Sequence, residues 1–135
     1  FIPPPMPTTF VDGETPHVVN IIAPSSGTYQ VDEALNLTLQ FSENVVITGT
    51  PQLTVTLDSS PQPFTYISGS GTDEIIFQYI VQEGDSALSG ITLDSVIDLN
   101  TGLIQDNSAN NTELDLDVPL IPDVIIDAGI ARVTN

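Results

Sequence analysis

Asp106, Ser108 and Asn110 stand at alternate positions in "QDNSANNTELDLD", so an oxygen-bearing side chain recurs at every second residue. That spacing suits a short cation loop, because calcium collects about 6–8 oxygen ligands and takes them readily from carboxylates and amide carbonyls. The glycine and distal Glu of an EF-hand are missing, so the loop is not that motif. The alternative is an Asx-rich turn whose side chains satisfy their own backbone. Other carboxylates are dispersed along the chain: Asp12 and Glu14 near its start, Glu43 in "FSENV", Glu83 and Asp85 in "EGDSA", and Asp127 near its end. If loops at one pole of a fold gather them, they form a shared calcium site; otherwise they are loop acids in water. Glu113, Asp115 and Asp117 lie about 7 Å apart per two-residue step along an extended chain. One ion does not bridge them, and they read as a solvated acidic face.

Nucleophilic chemistry is poorly provided for. The chain has no cysteine, which removes disulfides, thiol catalysis and Cys-ligated zinc. His17 is the single histidine and has no Ser, Cys or metal-ligand companion at a meaningful spacing. Carboxylate pairs of the kind a glycosidase uses are present, but no nucleophile–base–oxyanion constellation accompanies them. The expectation is a protein that is not an enzyme, with no catalytic and no organic cofactor-binding residues.

Eighteen acidic residues face one basic residue, Arg132, for a formal net charge of −17. Nucleic acid and anionic membrane surfaces are excluded as partners, because both require cationic side chains. Carboxylates without basic partners repel one another and oppose compaction. Salt or bound divalent cations must offset this, and oxygen-rich sites with little nitrogen or sulfur favour calcium. A merely solvated acidic surface is the competing reading. At 135 residues and 40% apolar, the chain suffices for one domain with a core, and no apolar run is long enough to cross a bilayer as a helix.

The elements that must position these groups are strands. "ALNLTLQF" places Leu35, Leu37, Leu39 and Phe41 on one face and Asn36, Thr38 and Gln40 on the other. "PQLTVTL", "EIIFQYIV" and "TELDLDV" repeat the alternation, the last with Leu114, Leu116 and Val118. "HVVNIIA", "FTYIS", "SGITLDSVI" and "DVIID" supply shorter strands, and "SGSGTD" has the glycines of a tight hairpin turn. Phe41, Phe77 and Tyr79 fall in phase with the core rather than on a sugar-stacking platform, and Tyr66 belongs with them. About seven or more short strands at turn-punctuated spacing predict an all-β fold, an immunoglobulin-like antiparallel β-sandwich.

The two ends of the chain resemble each other. When Asp12 is laid on Asp127, Pro4 falls on Pro119, Pro7 on Pro122, Val18 on Val133 and Asn20 on Asn135. A fixed period marks a tandem array. The expected division is a proline-rich linker over 1–11, one sandwich repeat over 12–127, and the start of the next repeat over 128–135.

Five phrases run through the chain: P-x-x-G-T-Y at Pro24–Tyr29, L-x-L-x-F-S-E-x-V-x-I-T-G-T-P-x-L at Leu37–Leu53, Y-x-S-G-S-G-T at Tyr66–Thr72, F-x-Y-x-V-x-x-G-D at Phe77–Asp85 and I-x-D-x-x-x-N at Ile104–Asn110. Together they resemble the immunoglobulin-like repeats of large bacterial cell-surface adhesins of the RTX type. The Asp12-x-x-x-Pro16 segment is similar to the family's junction between repeats. "DNSANN" lacks the family's Gly before the Asn, and "DAGIA" lacks its Pro. The resemblance implies an extracellular, cell-surface extender repeat whose partners are neighbouring repeats of the same chain, with calcium stiffening the junctions. A carbohydrate- or protein-binding module, taking a cell-surface or glycan ligand, is the alternative.

Overall fold

The computed structural model describes residues 15–58, 60–116 and 121–128. Ten strands and no helix are found among them: β1 Val18–Ile22, β2 Gly27–Tyr29, β3 Ala34–Thr48, β4 Gln52–Thr56, β5 Pro61–Ser68, β6 Thr72–Ile80, β7 Ser86–Ala87, β8 Thr92–Leu93, β9 Leu103–Asp106 and β10 Val124–Asp127. The fold is an all-β sandwich. A larger sheet runs β1-β3-β6-β5-β4-β8 with β9 also paired to β3, and a smaller one runs β2-β10-β7. The chain therefore switches sheets early: β1 lies in the large sheet and β2 in the small one. β4, β5 and β6 are joined as successive antiparallel neighbours, and β3 lies beside β6, a Greek-key arrangement.

The alternation read in the sequence sets the faces. Leu35, Leu37, Leu39 and Phe41 of β3 are buried, as are Leu53 and Val55 of β4 and Ile75, Phe77 and Tyr79 of β6. Phe64 stacks on Tyr79 with ring centroids 5.4 Å apart, and Tyr66 meets Phe77 edge-on at 6.4 Å. Val124 and Ile126 of β10 close the core from the small sheet. On the outer face of the large sheet, side-chain amides form cross-strand ladders. Asn20 Nδ2 donates to Gln40 Oε1 at 2.9 Å, Gln40 Nε2 to Glu74 Oε2 at 2.6 Å, and Gln78 Nε2 to Asn36 Oδ1 at 2.9 Å. A one-residue slip of register would break these contacts and turn the apolar set outward.

Two local features fix the ends of β3. Between the pairs Gln40↔Glu74 and Val45↔Thr72, β3 advances five residues while β6 advances two. The excess is a bulge over Phe41–Asn44, a device that twists a strand and re-aims its side chains. Beyond it, β9 replaces β1 as the partner of β3, with Val45 opposite Asp106. The "SGSGTD" turn joins β5 to β6 as expected. Gly69 has φ +116°, and an added Cβ would lie 2.1 Å from the Glu74 carbonyl oxygen, so backbone approach as well as torsion requires glycine there.

One expected strand does not form. The described part of "TELDLDV", with Asn111 before it, makes only isolated bridges, Asn111 to Gln105 and Asp115 to Val96, although Leu116 is buried and Leu114 packs on the core. The segment lies against Ser95–Ile97, where Leu116 N–H donates to the Ser95 carbonyl and Ile97 N–H to the Leu114 carbonyl. Both partners are irregular there, so alternation buries the leucines without a continuous ladder. Val118 and Asp117 lie outside the described residues.

Candidate functional site

The candidate acids separate into two groups at opposite poles. Pro16 marks the N-terminal pole. Its carbonyl accepts from Glu113 N–H at 2.8 Å and from the Thr112 hydroxyl at 2.9 Å, which docks the incoming chain on the segment after β9. Glu43, half-buried in the β3 bulge, belongs to this pole, as do Asp106 and Asn110 in the adjoining loop. Ala128 marks the C-terminal pole. Its carbonyl accepts from Gly84 N–H at 2.7 Å and its N–H donates to the Asp85 carbonyl at 2.9 Å. Glu83, Asp85 and Asp127 gather here, Asp127 lying opposite Ser86 in the β10–β7 pairing. From Ala34 to Val45 along β3 the poles stand roughly 30 Å apart. A pole shared by Glu43 and Glu83, as the sequence allows, does not form: the strand registers place them at different ends. Asp12 and Glu14 lie outside the described residues, as do the segments 1–11 and 129–135.

Asp85 is a buried carboxylate. Its Oδ2 accepts a short hydrogen bond from the Tyr79 hydroxyl and another, at 2.9 Å, from Gln82 N–H. Asp85 N–H donates in turn to the Gln82 carbonyl at 3.0 Å, closing the Gln82–Asp85 turn on itself. Burial, reinforced by the hydrogen bond to Asp85 and by its charge, pushes the Tyr79 hydroxyl far above the usual tyrosine range. Tyr79 is thus held as a neutral donor. This pair fixes the turn that grips Ala128.

Asp106, also buried, has a similar architecture. Its Oδ1 accepts from Ser108 N–H and Asn110 N–H, both at 2.9 Å, and its Oδ2 from Asn110 Nδ2 at 2.9 Å. The alternate-residue oxygens of "DNSAN" therefore organise their own loop, with Ala109 at φ +65° completing the turn. Among the described residues, no group of three or more His, Cys, Asp or Glu side chains is arranged to hold a metal ion. Glu113 and Asp115 are exposed, and His17 is half-buried, with its N–H donating to Ser42 Oγ at 3.1 Å.

Sequence reasoning did not find the Tyr79–Asp85 contact. The signal was available in F-x-Y-x-V-x-x-G-D, where Tyr79 is in the core phase and a carboxylate follows a glycine turn. Also missed were Asp58, whose Oδ2 accepts from Leu88 N–H at 2.9 Å, and Asp98, whose Oδ1 accepts from Asn100 N–H at 2.9 Å. Several of the acids are thus backbone anchors, a use that composition does not reveal.

Comparison with protein-family models, with curated proteins and with solved structures finds no match to this chain.

Proposed function

We propose that this domain is a structural extender repeat of a bacterial cell-surface adhesin, flanked by further copies of the same sandwich and stiffened by calcium where copies meet. The observation that carries the reading is polar geometry. Pro16, near the first described residue, and Ala128, the last, lie at opposite ends of the sandwich along the long axis of β3. Domains joined through such poles stack end to end and convert residues into length. The acids follow the same division. Glu83, Asp85 and Asp127 on one copy would face the counterparts of Glu43, Asp106 and Asn110 on the next, with Asp12 and Glu14 in the connecting segment. A calcium ion, when bound, supplies charge neutralisation between two surfaces that otherwise repel.

The test is a tandem of two copies studied by small-angle scattering in calcium, in chelator, and in NaCl of matched ionic strength. The extender reading expects a particle about twice as long as one copy in every buffer, and calcium stiffening expects a narrower distribution of lengths with calcium alone. A folded-back, compact pair rejects the extender. An extended pair indifferent to calcium keeps the extender and removes the ion. Saturable binding of a glycan by the single domain would move it to the class of binding modules.

A further inference from the structure

Among the named strands of the described residues, the one parallel pairing joins an early strand to the last one. β2 and β10 pair as Gly27↔Val124, Thr28↔Ile125 and Tyr29↔Ile126. Everything from β3 to β9 lies between them in sequence. Both strands run from the N-terminal toward the C-terminal pole, since β2 leads into the Gln30–Glu33 turn beside Val81 and β10 ends at Ala128 beside Gly84.

We propose that the β2–β10 pair is a force-bearing clamp, which holds tension applied at the two chain ends and keeps it from residues 30–123 until the pair ruptures. Pulling the ends draws β2 backward and β10 forward, so the strands must slide past each other. Their backbone hydrogen bonds lie across the direction of motion and are loaded together. A hairpin pulled at its open end instead loses its bonds one at a time. β1 lies outside the clamp: its release from β3 lengthens only the segment before Gly27.

Both ends of the clamp are braced. Gly27 N–H donates to the Asp123 carbonyl at 3.0 Å, and the Tyr29 hydroxyl donates to the Ser25 carbonyl at 2.6 Å, tying β2 to the turn before it. At the other end, Ala128 exchanges two backbone bonds with Gly84 and Asp85, the turn locked by Tyr79. β10 is also held on its other edge by β7 through Ile126↔Ala87 and Asp127↔Ser86. Val124 and Ile126 are buried, so water cannot take over the hydrogen bonds from the core side. The clamp follows from strand topology and stands whether or not the domain belongs to an extender.

Single-molecule force spectroscopy on the full chain, held by its ends, tests it. One dominant rupture is expected, releasing on the order of 30 nm at about 3.3–3.6 Å per residue. Val124→Ala and Val55→Ala remove the same atoms from two buried sites, one in the clamp and one in β4. Both should lower chemical stability comparably, but only V124A should shorten the lifetime under force several-fold. Equal shortening by V55A, or release in several small steps before any large one, would overturn the proposal. A second measurement keeps the clamp side chains native. The chain has no cysteine, so Ser26→Cys and Asp123→Cys provide unique handles beside the same ends of β2 and β10. Pulling there peels the strands apart and should need several-fold less force than pulling the chain ends. Similar forces in the two geometries would also overturn it.

Discussion

Tyr79 and Asp85 form a neutral donor and an anionic acceptor inside an acidic protein, which gives the pair a distinctive response to pH. A tyrosine whose folded pKa is raised contributes stability that is fully present below the unfolded value, about 10. That contribution is lost as pH climbs from there toward the folded value, because only the unfolded chain ionises readily. Denaturant titrations are expected to show stability falling more steeply above about pH 10 in the native protein than in Tyr79→Phe. Identical slopes would mean that general charge repulsion alone governs the alkaline limb. Asp85→Ala removes the acceptor and strands the Tyr79 hydroxyl and Gln82 N–H, at an expected cost of about 1–3 kcal/mol or more for the lost charged acceptor. Asp106→Ala unmakes three recorded bonds to its own loop. It should therefore destabilise the domain even in chelator; a variant that loses stability only when calcium is present would show that the loop is a metal site first.

At the scale of strands, the bulge and the hairpin carry separate predictions. Leu37→Ala in β3 should cost about 2–5 kcal/mol, the usual range for a fully buried leucine, and urea unfolding reads it directly. Gly69→Ala should destabilise the β5–β6 hairpin through the Glu74 carbonyl; an unchanged midpoint would mean the turn relaxes freely. The central strands were readable because the chain alternates there and period 2 leaves one face apolar: Leu35 to Phe41 and Ile75 to Val81 are examples. "TELDLDV" alternates just as well, yet its leucines are buried without a ladder. Alternation reports which side chains go inward; the partner strand decides whether hydrogen bonds follow. Asp85 and Asp106 are candidate ion ligands in the sequence; in the structure they accept from backbone N–H groups, from the Tyr79 hydroxyl and from the Asn110 amide, partners that local spacing cannot distinguish from an ion. Glu43 was misplaced relative to Glu83 because which pole a loop occupies depends on strand order, and strand order is a long-range property.

For the molecule as a whole, charge is the dominant fact. The described residues contain no Lys or Arg to set against their carboxylates. Thermal unfolding in NaCl should therefore rise with ionic strength as screening shortens the range of repulsion. Calcium at 100 times its dissociation constant would add about 2.7 kcal/mol, roughly 10 °C for a domain of this size. If calcium at matched ionic strength does no more than sodium to one copy and to two, the acids are a solubility device. Magnesium is the second control, since its smaller octahedral shell suits an open, shared oxygen set poorly.

The early strand β2 waits for its partner until almost the whole domain has been made. A chain growing from its N-terminus can lay down the β4–β5–β6 meander as soon as those residues appear, but Tyr29 has no Ile126 to pair with until the end. Closure joins residues nearly a domain length apart, the kind of contact that slows folding. A nascent chain halted before Val124 should thus remain soft and sensitive to protease, and completion of β10 should harden it abruptly. Assembly of a tandem would then advance in whole-domain steps, each copy setting only after its last strand is available.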